Sequence, residues 1–553
     1  MPEETNRILN DLRARLALGT ALATMALGGY GGRPAYAGAC TGAAGIYLCS
    51  GAANPATDLT QTLNPGAPLT VTTTPGFGID TSTNGGNALT LTGTGGLSFT
   101  DGYNAAITGA ATGIRALGQG EYDYSYGYGP GTIPGSGGAL HITMAGRVTG
   151  LSGHGIDAEN TEDGSDLTIS AATVDGGNAG IFAHNEGTGY LSISASGPVT
   201  GTLGDGIYGK NFGTALSVTA AAVTGGRDGI DARNEGTAGL SISVSGDVTG
   251  QSVDGISAFN SANDVSGSML ITQAASTTTS GAVHGIDADN AGGALTINAL
   301  GTSTGGSGDG IHALNRAGTT ALDITANNAH GGANGIVADN AGGALTINAY
   351  GSASGGTGDG IRAVNQAGAT GLTITANNAD GGASGIRADN QGSGALRITA
   401  TGQVTGSGTG QAFSNAGVDG GIVARNSSAT ATDLTIDASG QVTGAGRYGI
   451  YARNDGTGDL RVTTTGQVTG WVRPDGRRYE AIVAYNFGRD LTIAATAGYA
   501  HGITAVNSGS GALRITTATT SNGRMFAINT GTDLTIAAAA VSSGFQGGIY
   551  AYN

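Results

Sequence analysis

The chain has 553 residues and a net charge of −16, and 106 of its residues are glycine. Only 11% are charged, so it lacks the basic patches that bind phosphate backbones, and nucleic acid is excluded as an expected partner. No collagen triplet is present, and a recurring Leu/Ile pattern argues against disorder.

Residues 1–37 read as a signal peptide. Arg7, Arg13 and Arg15 make a basic start, Leu16 to Leu27 is an apolar run, and Ala35-Tyr36-Ala37 fits a small-x-small cleavage site. The apolar run is too short to span a membrane, which takes ~20 residues. The expected localisation is therefore outside the cytosol. Cys40 and Cys49, the only cysteines, follow directly, and in an exported chain they are expected to close one small disulfide loop.

Residues 38–112 are expected to form an N-terminal cap and irregular first coils. They carry Thr-rich strands at Pro68–Thr72 and Ala88–Thr92, and an open solenoid end needs covering. From Gly113 onward the pattern becomes regular. Between Gly155 and Asn553 the hexapeptide Gly-Ile-x-Ala-x-Asn returns sixteen times, with degenerate copies at Ala481–Asn486 and Arg524–Asn529. The Asn-to-Asn spacing runs from 21 to 36 residues and is most often 25. Repetition at such a period marks a solenoid.

Within each repeat Ile and Ala alternate with polar residues, the period of a half-buried strand. The closing Asn suits a sharp corner in left-handed backbone, and equivalent Asn residues are expected to stack as a ladder along one edge. A second strand, Leu-x-Ile, follows, as at Leu167/Ile169 and Leu295/Ile297, and often a third, as at Gln403–Gly406. Three short strands and three corners per repeat predict an all-β fold, a right-handed parallel β-helix of about 25-residue coils over 113–553. A 50-residue unit is nearly duplicated, Gly285–Asn334 against Gly335–Ser384.

Two insertions interrupt the coils. The first holds Tyr122, Tyr124, Tyr126 and Tyr128, the second Trp471, Arg473 and Tyr479, and both are candidate ligand-contact loops. A lengthened corner lies near Gln411–Asp419. The chain stops on the last residue of a hexapeptide, which reads as an open end, a fragment or a truncated frame.

The block Ala39-Cys40-Thr41-Gly42 to Tyr47-Leu48-Cys49-Ser50-Gly51, with Thr72–Ile79 and Gly95–Thr100, resembles the start of autotransporter passengers. The repeats then extend that resemblance over nearly everything from Gly113. The chain is thus similar to the passenger region of Gram-negative autotransporters (type V secretion), mostly pectin-lyase-like β-helices. The resemblance implies export to the cell surface or outer membrane. The C-terminal translocator barrel of that family, built of ~10-residue alternating strands with aromatic girdles, has no counterpart in this sequence.

No catalytic residue, cofactor or metal site is expected. The outward acids Asp157, Glu159, Asp231, Asp287, Asp289, Asp339 and Asp389 recur at one repeat position and read as solvated surface. Gly305–Gly310 approaches a calcium nonapeptide with its Asp one place early. The seven histidines are scattered. The expected function is a surface or secreted structural and adhesive rod whose partner is a host or matrix glycan or protein. A β-helix polysaccharide lyase or glycosidase is the alternative, and the truncated product of a larger autotransporter gene the third reading.

Overall fold

The computed structural model describes residues 38–119, 122–123, 131–132, 137–261, 267–408, 419–472, 478–496, 499–500, 502–518, 523–539 and 548–553. The signal-peptide region, Tyr124, Tyr126, Tyr128, Arg473 and residues 411–418 of the lengthened corner lie outside them. All regular structure among the described residues is strand. The chain winds as a right-handed parallel β-helix of about 17 turns, about 26 residues apart.

Three strand types stack into three faces. The first is the hexapeptide strand, paired in parallel and in register from coil to coil, as Ile286–Asn290 with Ile311–Asn315. The second carries Leu-x-Ile, as Leu191–Ala195 with Leu216–Ala220. The third is Val-Thr-Gly, as Val199–Gly201 with Val223–Gly225. In several coils the second and third run together as one bent strand, as in Leu295–Gly305, Leu322–Gly331 and Leu345–Gly355.

The alternation in sequence is the cause of the stacking. Ile156, Ala158, Leu167, Ile169 and Val174 are fully buried, and the same positions stay buried in coil after coil. Each such aliphatic side chain stabilises the column by ~1.5–3 kcal/mol. The glycine that opens the hexapeptide has a steric reason. A Cβ on Gly155 would lie 2.4 Å from Val174 Cγ1 and 2.7 Å from the Gly180 carbonyl oxygen, and Gly180 meets Val199 and Gly206 in the same way. A side chain at Gly155 or Gly180 would force the neighbouring coil to shift.

The ladder Asn departs from the sequence expectation. It ends the strand with its side chain inward, buried from Asn160 to Asn529 and exposed only at Asn553, and no ladder Asn has a positive φ. The amides form a continuous internal column from Asn160 to Asn553, in which each Nδ2 donates to the next Oδ1 at 2.7–3.1 Å. The second Nδ2 hydrogen donates to a carbonyl of the following corner, as Asn340 to Gly343 at 2.9 Å. An amide carries an acceptor and two donor hydrogens, so it extends the chain and also satisfies a corner carbonyl, which a hydroxyl with its single hydrogen does not.

The coils before Gly113 join the same faces. Leu89–Thr94 pairs in parallel with Ile114–Gln119, and Leu69–Thr72 with Leu97–Thr100. Ala39–Ala43 and Ile46–Ser50 form an antiparallel hairpin whose second strand pairs with the coil above. Cys40 and Cys49 face each other across it and are joined by a disulfide.

Candidate functional site

The three faces differ in what they show to solvent. On the Leu-x-Ile face the outward residues from Thr168 to Thr375 are Ser or Thr, apart from Leu270, Asn298, Asp323 and Asn348. The Val-Thr-Gly face presents mostly Thr. Between Thr168 and Thr375 the strands of these two faces carry one outward Phe, Tyr or Trp, Tyr350, which is exposed. On the hexapeptide face the two variable positions hold nearly every kind of side chain: acids, arginines, the single lysine, histidines and aromatic rings. Regular folding constrains the inward positions most, so the outward ones vary.

One aromatic patch lies over the coils at 156–212. The rings of His154 and Phe182 are 5.0 Å apart, and Phe182 stacks on Tyr208 at 4.9 Å with 9° between planes. Lys210 sits over the Phe212 ring at 4.3 Å and pairs with Glu235 at 3.0 Å. Asp157 is held between Arg115 below and Phe182 above. Burial raises its pKa; His154 opposes the rise, Glu159 adds to it and Arg115 opposes it. Its Oδ1, His154 Nδ1 and His184 Nε2 are buried without a hydrogen-bond partner.

A second patch contains residues singled out from the sequence. Trp471 and Tyr479 stack at 5.8 Å and 11°. Tyr479 meets Tyr448 edge-on at 5.7 Å, and Tyr448 reaches Tyr451 at 5.9 Å, which reaches Tyr485 at 6.1 Å. The insertion is pinned by an antiparallel bridge between Val472 and Arg478 and by the Trp471 N–H donating to the Arg447 carbonyl at 2.8 Å. Arg425 lies over Tyr451 and Arg453 over Phe487. Burial, then Glu480, pushes the Tyr448 phenol up. Phe526 and Tyr552 continue the same face at the last coils, 6.2 Å apart.

The first tyrosine loop is described only in its backbone hairpin, Tyr122–Asp123 with Gly131–Thr132. It leaves the face one coil below Asp157.

A charged stretch separates the patches. Arg227 binds Asp205 through Nε at 2.8 Å, Asp228 at 3.1 Å and Asp231 through Nη2 at 2.9 Å, and Arg233 also holds Asp231. Burial, reinforced by Asp205 and Asp231, pushes the Asp228 carboxyl up to about 6. His312 bonds Asp287 at 2.7 Å, which raises the imidazole pKa.

From Asp205 to Ser384 the residue before Gly-Ile builds a second ladder that sequence reasoning missed. Asp205 accepts the Asp228 N–H at 3.1 Å, Asp228 that of Asp254 at 2.9 Å, and Asp254 that of His284 at 2.8 Å. His284 Nδ1, Asp309, Asn334 and Asp359 continue it. The signal was the recurring Asp-Gly-Ile at 205, 228, 254, 309 and 359. Asp309, the residue of the calcium-like string, is occupied as an acceptor of the Asn334 N–H and side-chain amide. Among the described residues no group of three or more His, Cys, Asp or Glu is arranged to hold a metal ion.

Fold and face together define the chain as a β-solenoid with one chemically diverse side. No protein-family model matches it, and no curated protein or solved structure is significantly similar.

Proposed function

We propose that this chain is an exported rod, displayed on the cell surface or released from it, with a structural and adhesive role. The hexapeptide face makes the contacts, and the partner is a host or matrix glycan or protein. One observation carries this reading: the stacked aromatic rings and most of the strand cations lie on the hexapeptide face and its corners, while the other two faces are mostly small and hydroxylated, Tyr350, Arg397, Arg461 and Arg514 being among the exceptions. Aromatic rings supply large contact area at low entropic cost, and adjacent cations add polar anchoring. The signal-like segment 1–37 and the resemblance to autotransporter passengers support export.

Binding of the purified protein to arrayed host glycans and matrix proteins tests the adhesive role. Retention that falls in a Tyr451→Ser/Trp471→Ser variant is expected; unaltered retention counts against it. Fusion of residues 1–37 to a reporter active only outside the cytosol tests export.

The second reading, a glycosidase or lyase, draws on Asp157 and Glu159. They are two carboxylates on one outward strand edge, with Asp157 held above the ordinary carboxylate range by burial. Release of reducing ends from polysaccharides, abolished in Asp157→Asn, would favour it.

A further inference from the structure

The two aromatic patches are built from the same kinds of repeat position. In each, a ring at the corner before Gly-Ile meets a ring at a first variable position: His154 with Phe182 of the next coil, and Tyr448 with Tyr451 of its own. In each, a cation at the second variable position lies over a phenylalanine that follows a ladder Asn: Lys210 over Phe212 of its own coil at 4.3 Å, and Arg453 over Phe487 of the next at 5.0 Å. Phe212 and Phe487 are 39% and 46% exposed, so part of each ring stays open to solvent.

Strand register puts the patches in line. From Tyr208 the column of first variable positions runs through Asp231, Ser257 and Asp287 to Arg387, Val423 and Tyr451. That is nine coil-to-coil steps, or roughly 43 Å at the ~4.8 Å spacing of paired strands. Between them the hexapeptide face shows one Phe, Tyr or Trp among the described residues, Phe259.

We infer that both patches engage a single linear polysaccharide lying along the rod axis. This rests on the glycan reading above and narrows it. Two like patches at a fixed distance on a rigid rod call for a ligand that offers the same chemistry at two points at least roughly 43 Å apart. A polymer of repeating sugars does this, whereas the surface of a globular protein does not repeat. Sugar rings also match the patch chemistry, with C–H faces for the aromatic rings and hydroxyl oxygens for Lys210 and Arg453. Once one patch is bound, the second contact is intramolecular. Affinity for the long chain therefore exceeds that for a short oligosaccharide by ~10²–10⁴-fold.

The test compares long and short forms of the same sugars. The purified protein is run through gels containing hyaluronan, chondroitin sulfate or hydroxyethyl cellulose, and titrated with the tetrasaccharide of each. One variant carries Phe182→Ser and Tyr208→Ser, the other Tyr448→Ser and Tyr451→Ser. Circular dichroism checks folding; if a serine variant loses its β signal, the leucine versions replace it. The expected result is wild-type retardation by one of the polymers and a loss of tenfold or more in each variant. Tetrasaccharide binding at the patch left intact is expected to be unchanged. Wild-type polymer affinity in the Phe182/Tyr208 variant, with a loss in the Tyr448/Tyr451 variant, would overturn the two-patch arrangement and leave the glycan reading standing. Equal affinity for polymer and tetrasaccharide would overturn it too. A wild-type protein slowed by none of the polymers would remove the glycan reading and this proposal together.

Discussion

Replacing Asn340 by alanine interrupts the internal amide ladder at a point with intact coils on both sides. The Asn340 side chain is fully buried. Its Oδ1 accepts from Asn315 Nδ2 at 2.9 Å and from the Gly342 N–H at 3.2 Å, and its Nδ2 donates to Asn365 Oδ1 at 2.7 Å and the Gly343 carbonyl at 2.9 Å. Asn315 Nδ2 keeps a second acceptor, the Ala321 carbonyl, and the Gly343 carbonyl keeps the Thr370 N–H. Three groups are left with unmet capacity: one Asn315 amide hydrogen, Asn365 Oδ1 and the Gly342 N–H. At ~1–3 kcal/mol for each buried unsatisfied group, the three together cost roughly 3–9 kcal/mol, less whatever an entering water restores. Solenoid energetics are nearest-neighbour, so the damage should stay near the break. Hydrogen exchange read by mass spectrometry should rise in 311–315, 336–340 and 361–365 and stay unchanged around 181–211. Asn348→Ala, on the outward side of the Leu-x-Ile face, is the control. Equal exchange in the two variants, or a change spread evenly along the rod, would refute the reasoning.

Other outcomes follow from the same contacts. Asp228 has a folded-state pKa of about 6 against 3.8 for the free carboxyl. A raised folded pKa gives stability that is full below the unfolded value and lost as pH rises through the folded one. Asp228→Asn keeps an acceptor for the Asp254 N–H and removes the crowded charge. It should stabilise the protein by up to ~3 kcal/mol at pH 8 and by nothing near pH 3.5, read as melting temperature against pH; a shift independent of pH would contradict this. Asp287→Asn should return the His312 pKa toward that of free imidazole, followed by NMR of histidine-labelled protein. Reduction of Cys40–Cys49 should cost ~2–3 kcal/mol locally, raising exchange in 39–50 while the central coils are unaffected.

The fold was legible because the hexapeptide carries its own strand period, corner and spacing. Ile156 and Ala158 fix which side is inward, and a one-residue slip would turn that whole set outward. The Asn ladder was legible as a column but misplaced to a corner, since an isolated Asn signals a turn more often than a buried amide chain. The corner ladder was hidden because its members are Asp, His, Asn and Ser, which share only an acceptor atom. Trp471 and Tyr479 could be picked out as an insertion. Their partners Tyr448, Tyr451 and Tyr485 sit up to 37 residues apart in sequence, within ordinary repeats, and meet only because coils stack.

The claim that the hexapeptide face is the binding face is tested most directly by blocking one face at a time. A single cysteine at Ser257, Ser243 or Thr249 places a bulky maleimide polymer on the hexapeptide, Leu-x-Ile or Val-Thr-Gly face, the native cysteines being paired. Retention is then measured on the arrayed ligand that the wild-type protein binds. Loss of binding only with the Ser257→Cys adduct is the predicted result. Unimpaired binding with that adduct, or equal loss from all three, would contradict the account.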